Sequence, residues 1–158
     1  MDDGDPTDAA TVRVPPPLVF LVAILAGAAL GWVAPLPLGL PLGLRSVLAV
    51  AAIGAGLAVG YPAFTRMRST GQNPAPWTTT PEIIGGGVYR FSRNPMYVGM
   101  SLLQTGIGVA AASGWILLLV PVSMAVVYAT AIRHEEAYLE RKFGEPYLSY
   151  KRRVRRWI

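Results

Sequence analysis

Apolar residues in this chain come in long runs separated by polar blocks. Four runs carry no charge: residues 18–34, 46–64, 96–112 and 115–132. A helix needs about 20 apolar residues to cross a hydrocarbon layer of roughly 30 Å, so each run is close to the length of one crossing. The pattern predicts an all-α integral membrane protein with four transmembrane helices. The links between runs predict the turns. Pro35, Pro37 and Pro41 end the first helix and make a tight, extended connection. Ser113 and Gly114 alone separate the third and fourth runs, which makes those helices antiparallel neighbours. Pro121 lies inside the fourth run, removes a backbone donor and predicts a kink.

Small residues recur four apart in the first two helices, Gly27 with Gly31 and Gly56 with Gly60. In lipid, that spacing lets helix backbones approach closely. After the fourth run the pattern changes. Ile132, Glu136, Leu139 and Phe143 recur at spacings of three and four, which predicts a C-terminal amphipathic helix to Phe143. Gly144 is its predicted stop, with Pro146 just beyond. Everything after that reads as a basic tail.

Composition agrees with a membrane protein: 53% of residues are hydrophobic and 15% charged. The 158 residues suffice for one domain, taken as 18–158. Residues 1–17 are acidic, then proline-rich, and predict a flexible lead-in. With four Asp among the first eight residues, that segment does not read as a secretory leader, which begins basic. There is no cysteine, so disulfides, thiolate metal sites and cysteine nucleophiles are excluded. The single histidine, His134, cannot build a His-rich metal site, and no metal is expected.

The net charge of +5 is unevenly placed. Arg45 is the one cation between the first two runs, whereas residues 65–97 carry four arginines and the segment from Arg133 carries eight Lys/Arg. The positive-inside rule then puts the N-terminus, the long loop and the C-terminus on the cytoplasmic side of a bacterial-type inner membrane. Two polar segments, 87–97 and 133–150, are expected to share that side. Five Lys/Arg among residues 151–156 should attract anionic lipid headgroups, at about 1 kcal/mol each near the surface. Nucleic acid is not an expected partner for a chain embedded in lipid.

Chemistry-bearing residues concentrate in those two segments. Gly85, Gly86 and Gly87 lack the phosphate-loop pattern and read as tight turns. Asn94 and Pro95 suit a helix start, Asn as the cap and Pro at the first position. Arg90 and Arg93 are either interfacial anchors or a fork for a carboxylate, with Arg93 favoured because it adjoins the helix start. Glu135 and Glu136 project about 100° apart on a helix, so they cannot share one task. Glu136 falls on the face of Ile132 and Leu139; the alternative is a surface pair with Arg133 three residues back. Tyr89, Tyr97, Tyr147 and Tyr150 are either an interfacial belt or rings that pack on a cation.

Taken together, Gly87-x-Tyr89-Arg90-x-x-Arg93-Asn94-Pro95-x-Tyr97-x-Gly99, a helical hairpin, and Arg133-x-Glu135-Glu136-x-x-Leu139-x-x-x-Phe143-Gly144-x-x-Tyr147-x-x-Tyr150 form a pattern. It resembles the integral-membrane isoprenylcysteine carboxyl methyltransferase and phospholipid methyltransferase superfamily. Asn94 stands where the eukaryotic isoprenylcysteine enzymes have histidine, as in many bacterial relatives. The resemblance implies S-adenosyl-L-methionine held at the cytosolic membrane face and a lipid-like or small hydrophobic methyl acceptor. It implies cofactor contacts from Tyr89, Arg93, Asn94, Pro95, Tyr97, Arg133, Glu135, Glu136 and Tyr147, with Arg93 and Glu136 closest to catalysis. Two other classes compete: a membrane reductase using a nicotinamide cofactor, and a non-catalytic membrane protein that binds lipid or a partner.

Overall fold

The computed structural model describes residues 14–71 and 82–158. The acidic part of the lead-in and the 78–80 threonine run fall outside the described residues. Helix α1 spans Pro16–Val33 and α2 spans Leu42–Ser69. A short 3-10 turn at Gly87–Arg90 precedes α3, Pro95–Ala110. Helix α4, Gly114–Val127, runs through a π-helical turn at Tyr128–Ile132 into α5, Arg133–Phe143. Helix α6 is Glu145–Arg153. Among the described residues there is no strand, only an isolated bridge between Pro37 and Ser113.

Among the described residues, three segments are long and apolar enough to cross a membrane: Pro16–Val33 with 18 residues, Leu42–Ser69 with 28, and Gly114–Phe143 with 30. The third expected span is a helix of 16 residues, short of that length. Its start is set by Pro95 and its end by the turn into Ser113, where Ala112 has φ +50°. Helix α2 overruns its uncharged stretch at both ends and takes Arg45, Arg66 and Arg68 into the helix. Helix α4 continues past Pro121, and the break in helical regularity comes later, at the π turn.

The π turn has a consequence for the site. The inner stripe of α4 runs through Ile116, Ser123, Val127 and Ala131, all buried. A wider turn accommodates one extra residue, and the stripe steps on to Ile132 and Glu136. Leu139, expected on that face, is only half-buried, and Tyr138 is buried instead. Helix α6 was not expected. Pro146 reads as a terminator but occupies the first turn of the next helix, where its missing N–H costs nothing. Gly144 does stop α5, with φ +58°.

The helices pack as α1 on α4 and α2 on α3. The glycine spacing works as expected. A Cβ on Gly99 would lie 2.8 Å from Gly60 Cα and 2.9 Å from the Gly56 carbonyl oxygen. At Gly27 it would lie 2.9 Å from the backbone of Ile116. The outer faces of α1 and α2 leave Leu21, Val22, Leu25, Val47, Val50 and Leu57 exposed, as lipid-facing surfaces do.

The bundle has two distinct ends. At one, the α1–α2 link is pinned to the α3–α4 turn: the Leu38 amide donates to Ala112 O at 3.2 Å and the Gly114 amide to Leu36 O at 2.8 Å. Trp115 Nε1 adds a bond to Ala34 O at 2.6 Å. The other end gathers the start of α1, the end of α2, the start of α3 and the π turn. There Tyr97 packs with Phe20, Val127, Ala131 and Ile132.

Candidate functional site

The two polar segments meet at this second end. Asn94 precedes α3, but its side chain makes no capping bond. Ser92 Oγ instead accepts from the Asn94 amide at 3.1 Å, and Asn94 Nδ2 donates to the Arg156 carbonyl at 3.1 Å. The expected cap is therefore a cross-link between distant segments. Pro95, almost completely buried, opens the helix in the expected way.

Arg93 points inward, its side chain 8% exposed, and pairs with Glu136 at 3.0 Å. Its Nη1 donates to the Lys151 carbonyl at 3.3 Å. Its Nε is buried with no hydrogen-bond partner among the described residues. Arg156 forks the same carboxylate, Nε to Oε1 at 3.0 Å and Nη2 to Oε2 at 2.9 Å. Planar guanidinium and carboxylate groups match in this bidentate form. The carboxylate thus sits between two cations, and its hydrogen bonds hold Arg156 more firmly protonated than usual. Arg156 also lies over the Tyr128 ring, 4.8 Å from its centroid.

Glu135 takes a different partner, in keeping with the angle between neighbouring helical side chains. Tyr97 OH donates to Glu135 Oε1 at 2.8 Å. The four tyrosines are buried, so they do not form an interfacial belt. Tyr150 OH donates to the Tyr89 carbonyl at 2.8 Å, and Tyr89 OH to the Ala63 carbonyl at 3.3 Å, which chains α6 to the 3-10 turn and to α2. Tyr147 and Tyr150 are tilted rings 6.1 Å apart. Burial pushes the Tyr150 hydroxyl up to about 12. Burial, then the Glu136 charge, raises Tyr147 further. Both rings are neutral donors at physiological pH.

Of the residues expected from sequence, Tyr89, Arg93, Asn94, Pro95, Tyr97, Glu135, Glu136 and Tyr147 come together here. Arg133 does not. It is exposed, and the alternative surface pair with Glu136 does not form either, since Glu136 pairs with Arg93 and Arg156. Arg90 also faces outward, over the Phe91 ring at 5.9 Å. Gly87, with φ +60°, starts the 3-10 turn that carries Tyr89, as the turn reading of the glycines requires. Sequence reasoning missed Arg156 and Ser92. Arg156 is one of five cations in six residues, and nothing in its spacing separates it from the rest. Of the others, Lys151 pairs with Glu140 and Arg152 with Glu145.

The profile of the family described as phospholipid methyltransferase matches residues 44–146, well over half of the chain. A 33-residue stretch is 52% identical to an uncharacterized protein of Haemophilus influenzae, covering 21% of this chain and 52% of that protein. The chain thus spans about half the length of the curated relative it matches. With three apolar helices of membrane-crossing length and this match over most of its length, the chain is an integral membrane protein belonging to the phospholipid methyltransferase family.

Proposed function

We propose that the protein is a membrane methyltransferase that uses S-adenosyl-L-methionine and acts on a lipid-like or small hydrophobic acceptor drawn from the bilayer. One observation carries this reading. The Arg93–Glu136 and Tyr97–Glu135 contacts join two segments on either side of a helical hairpin into one polar cluster, inside a chain of this family.

The donor set fits such a cofactor, which bears a carboxylate, an amine, ribose hydroxyls and a sulfonium. Arg93 Nε is a buried donor with no hydrogen-bond partner, suited to an anionic group. Glu135 has one oxygen on Tyr97, and its carboxyl is a partner for an amine or a hydroxyl. Neutral tyrosine rings supply faces that attract a cation by about 0.5–2 kcal/mol. When bound, the cofactor supplies an electrophilic methyl with a good leaving group. The chain's own residues have to bind, orient and keep water out, and orientation of reactants is worth about 7–11 kcal/mol. Arg93 and Glu136 are the residues we place closest to that task, with Tyr89, Asn94, Pro95, Tyr97, Glu135 and Tyr147 around them.

Under the same proposal α3 is a fourth membrane segment, held in the bundle by α2, and the site end faces the cytoplasm, where the basic residues concentrate. Arg153 and Arg155, both exposed, are the tail cations open to anionic headgroups.

Calorimetry on the purified protein tests the reading against its competitors. Binding of S-adenosylmethionine and its demethylated product, but not NADPH, is the expected result. Binding of NADPH alone would favour a reductase, and binding of none a non-catalytic protein. Product mass spectrometry with labelled cofactor and native membrane extract would then identify the acceptor.

A further inference from the structure

Residues 154–158 cross the candidate site as a strap. The Arg93 amide donates to the Arg155 carbonyl at 2.9 Å, and Ser92 Oγ and Asn94 Nδ2 donate to the Arg156 carbonyl at 3.2 and 3.1 Å. Trp157 packs against the Phe20, Tyr97 and Ile132 cluster. Residues 154–158 lie outside the 44–146 segment that the family profile matches.

The charges on this strap matter more than its packing. One guanidinium would neutralise Glu136, yet two are present, so the cluster of Arg93, Glu136 and Arg156 carries a net positive charge. The sharing is unequal. Arg156 occupies both carboxylate oxygens, while Arg93 contacts Oε1 alone and keeps a buried Nε with no hydrogen-bond partner. Arg156 itself lies over the Tyr128 ring, which attracts its cation. Without Arg156, Glu136 would turn its full charge on Arg93.

We infer that Arg156 is a positioning residue: by holding both oxygens of Glu136, it leaves Arg93 with charge available to the carboxylate of an amino-acid-bearing ligand. The inference rests on the cofactor reading above and deepens it. It assigns Arg93 the carboxylate end of the ligand and Arg156 the control of that contact.

The test compares two probes on the full chain by calorimetry: S-adenosylhomocysteine, which carries the carboxylate, and 5′-methylthioadenosine, which does not. Arg156→Gln should weaken S-adenosylhomocysteine by about tenfold, the scale of one charge-assisted hydrogen bond, and leave methylthioadenosine within about twofold. Arg156→Lys, which keeps the charge and loses the fork, should fall between Arg156→Gln and the parent protein. The double variant Glu136→Gln/Arg156→Gln removes anion and cation together, so Arg93 regains its free charge and the preference for S-adenosylhomocysteine should return. That recovery separates an electrostatic role from a packing role, and it decides the matter should Arg156→Gln alone fail to fold. Equal loss of both probes, no loss of either, or a double variant without the preference would overturn the inference while the cofactor reading stands. A parent protein that binds neither probe would overturn both.

Discussion

At the scale of single residues, the site is a set of exchanges between distant segments. Glu136 is the hub, because it is the buried carboxylate that two arginines share. Replacing one member of a buried ion pair leaves its partner unpaired, typically at a cost of about 3–5 kcal/mol. Glu136→Gln is therefore expected to lower thermal stability in detergent. Tyr97→Phe removes one hydrogen bond and leaves a Glu135 oxygen without its donor, and a loss of about 1–3 kcal/mol is expected. Thermal unfolding monitored by circular dichroism, run beside calorimetry, checks both. If the two variants melt with the parent protein, the polar cluster contributes nothing to the fold. If cofactor affinity is also unchanged, these residues lie outside the site.

At the scale of elements, the critical contact is the crossing of α2 and α3. Gly99 meets the backbone at Gly56 and Gly60, where no flexible side chain can yield. Gly99→Val should separate the helices, and overpacking of this kind costs about 1–3 kcal/mol. Gly54→Val is the control, because its added atoms meet open space on the outer face of α2. Comparable melting of both variants would mean that the close crossing is dispensable. That contact could be anticipated because glycines four apart on an apolar helix report directly on packing. The starts and stops at Pro95 and Gly144 were legible for the same reason: a cap depends on its immediate neighbours. Helix α6 was not, since a proline two residues past a glycine serves equally as an end or a beginning. The π turn carries no local signature in Tyr128–Ile132, and it redirects the buried stripe onto Glu136. Arg156 was hidden by its neighbours' charge. Its partner lies twenty positions back on another helix, a separation that no periodicity marks.

At the scale of the whole molecule, the bundle separates a stapled, sparsely charged end from a polar end that holds both halves of the site. In the proposed orientation the polar end faces the cytoplasm, through the electrical bias on short basic loops. The chain's lack of cysteine makes this testable without background labelling. Ser69→Cys at the end of α2 and Arg153→Cys at the end of α6 both lie at exposed positions of the polar end, and Ala34→Cys is exposed at the other. With a membrane-impermeant maleimide on intact spheroplasts, Ala34→Cys should react directly, and the other two only after the membrane is opened. Reaction of all three in the reverse sense would turn the molecule over in the bilayer, keep the site intact and move its cofactor supply to the wrong compartment. Reaction of Ser69→Cys and Arg153→Cys from opposite sides is the more damaging outcome. The Arg93–Glu136 pair and the strap over it require those ends to share one face, and no cofactor site could then be built from the two segments.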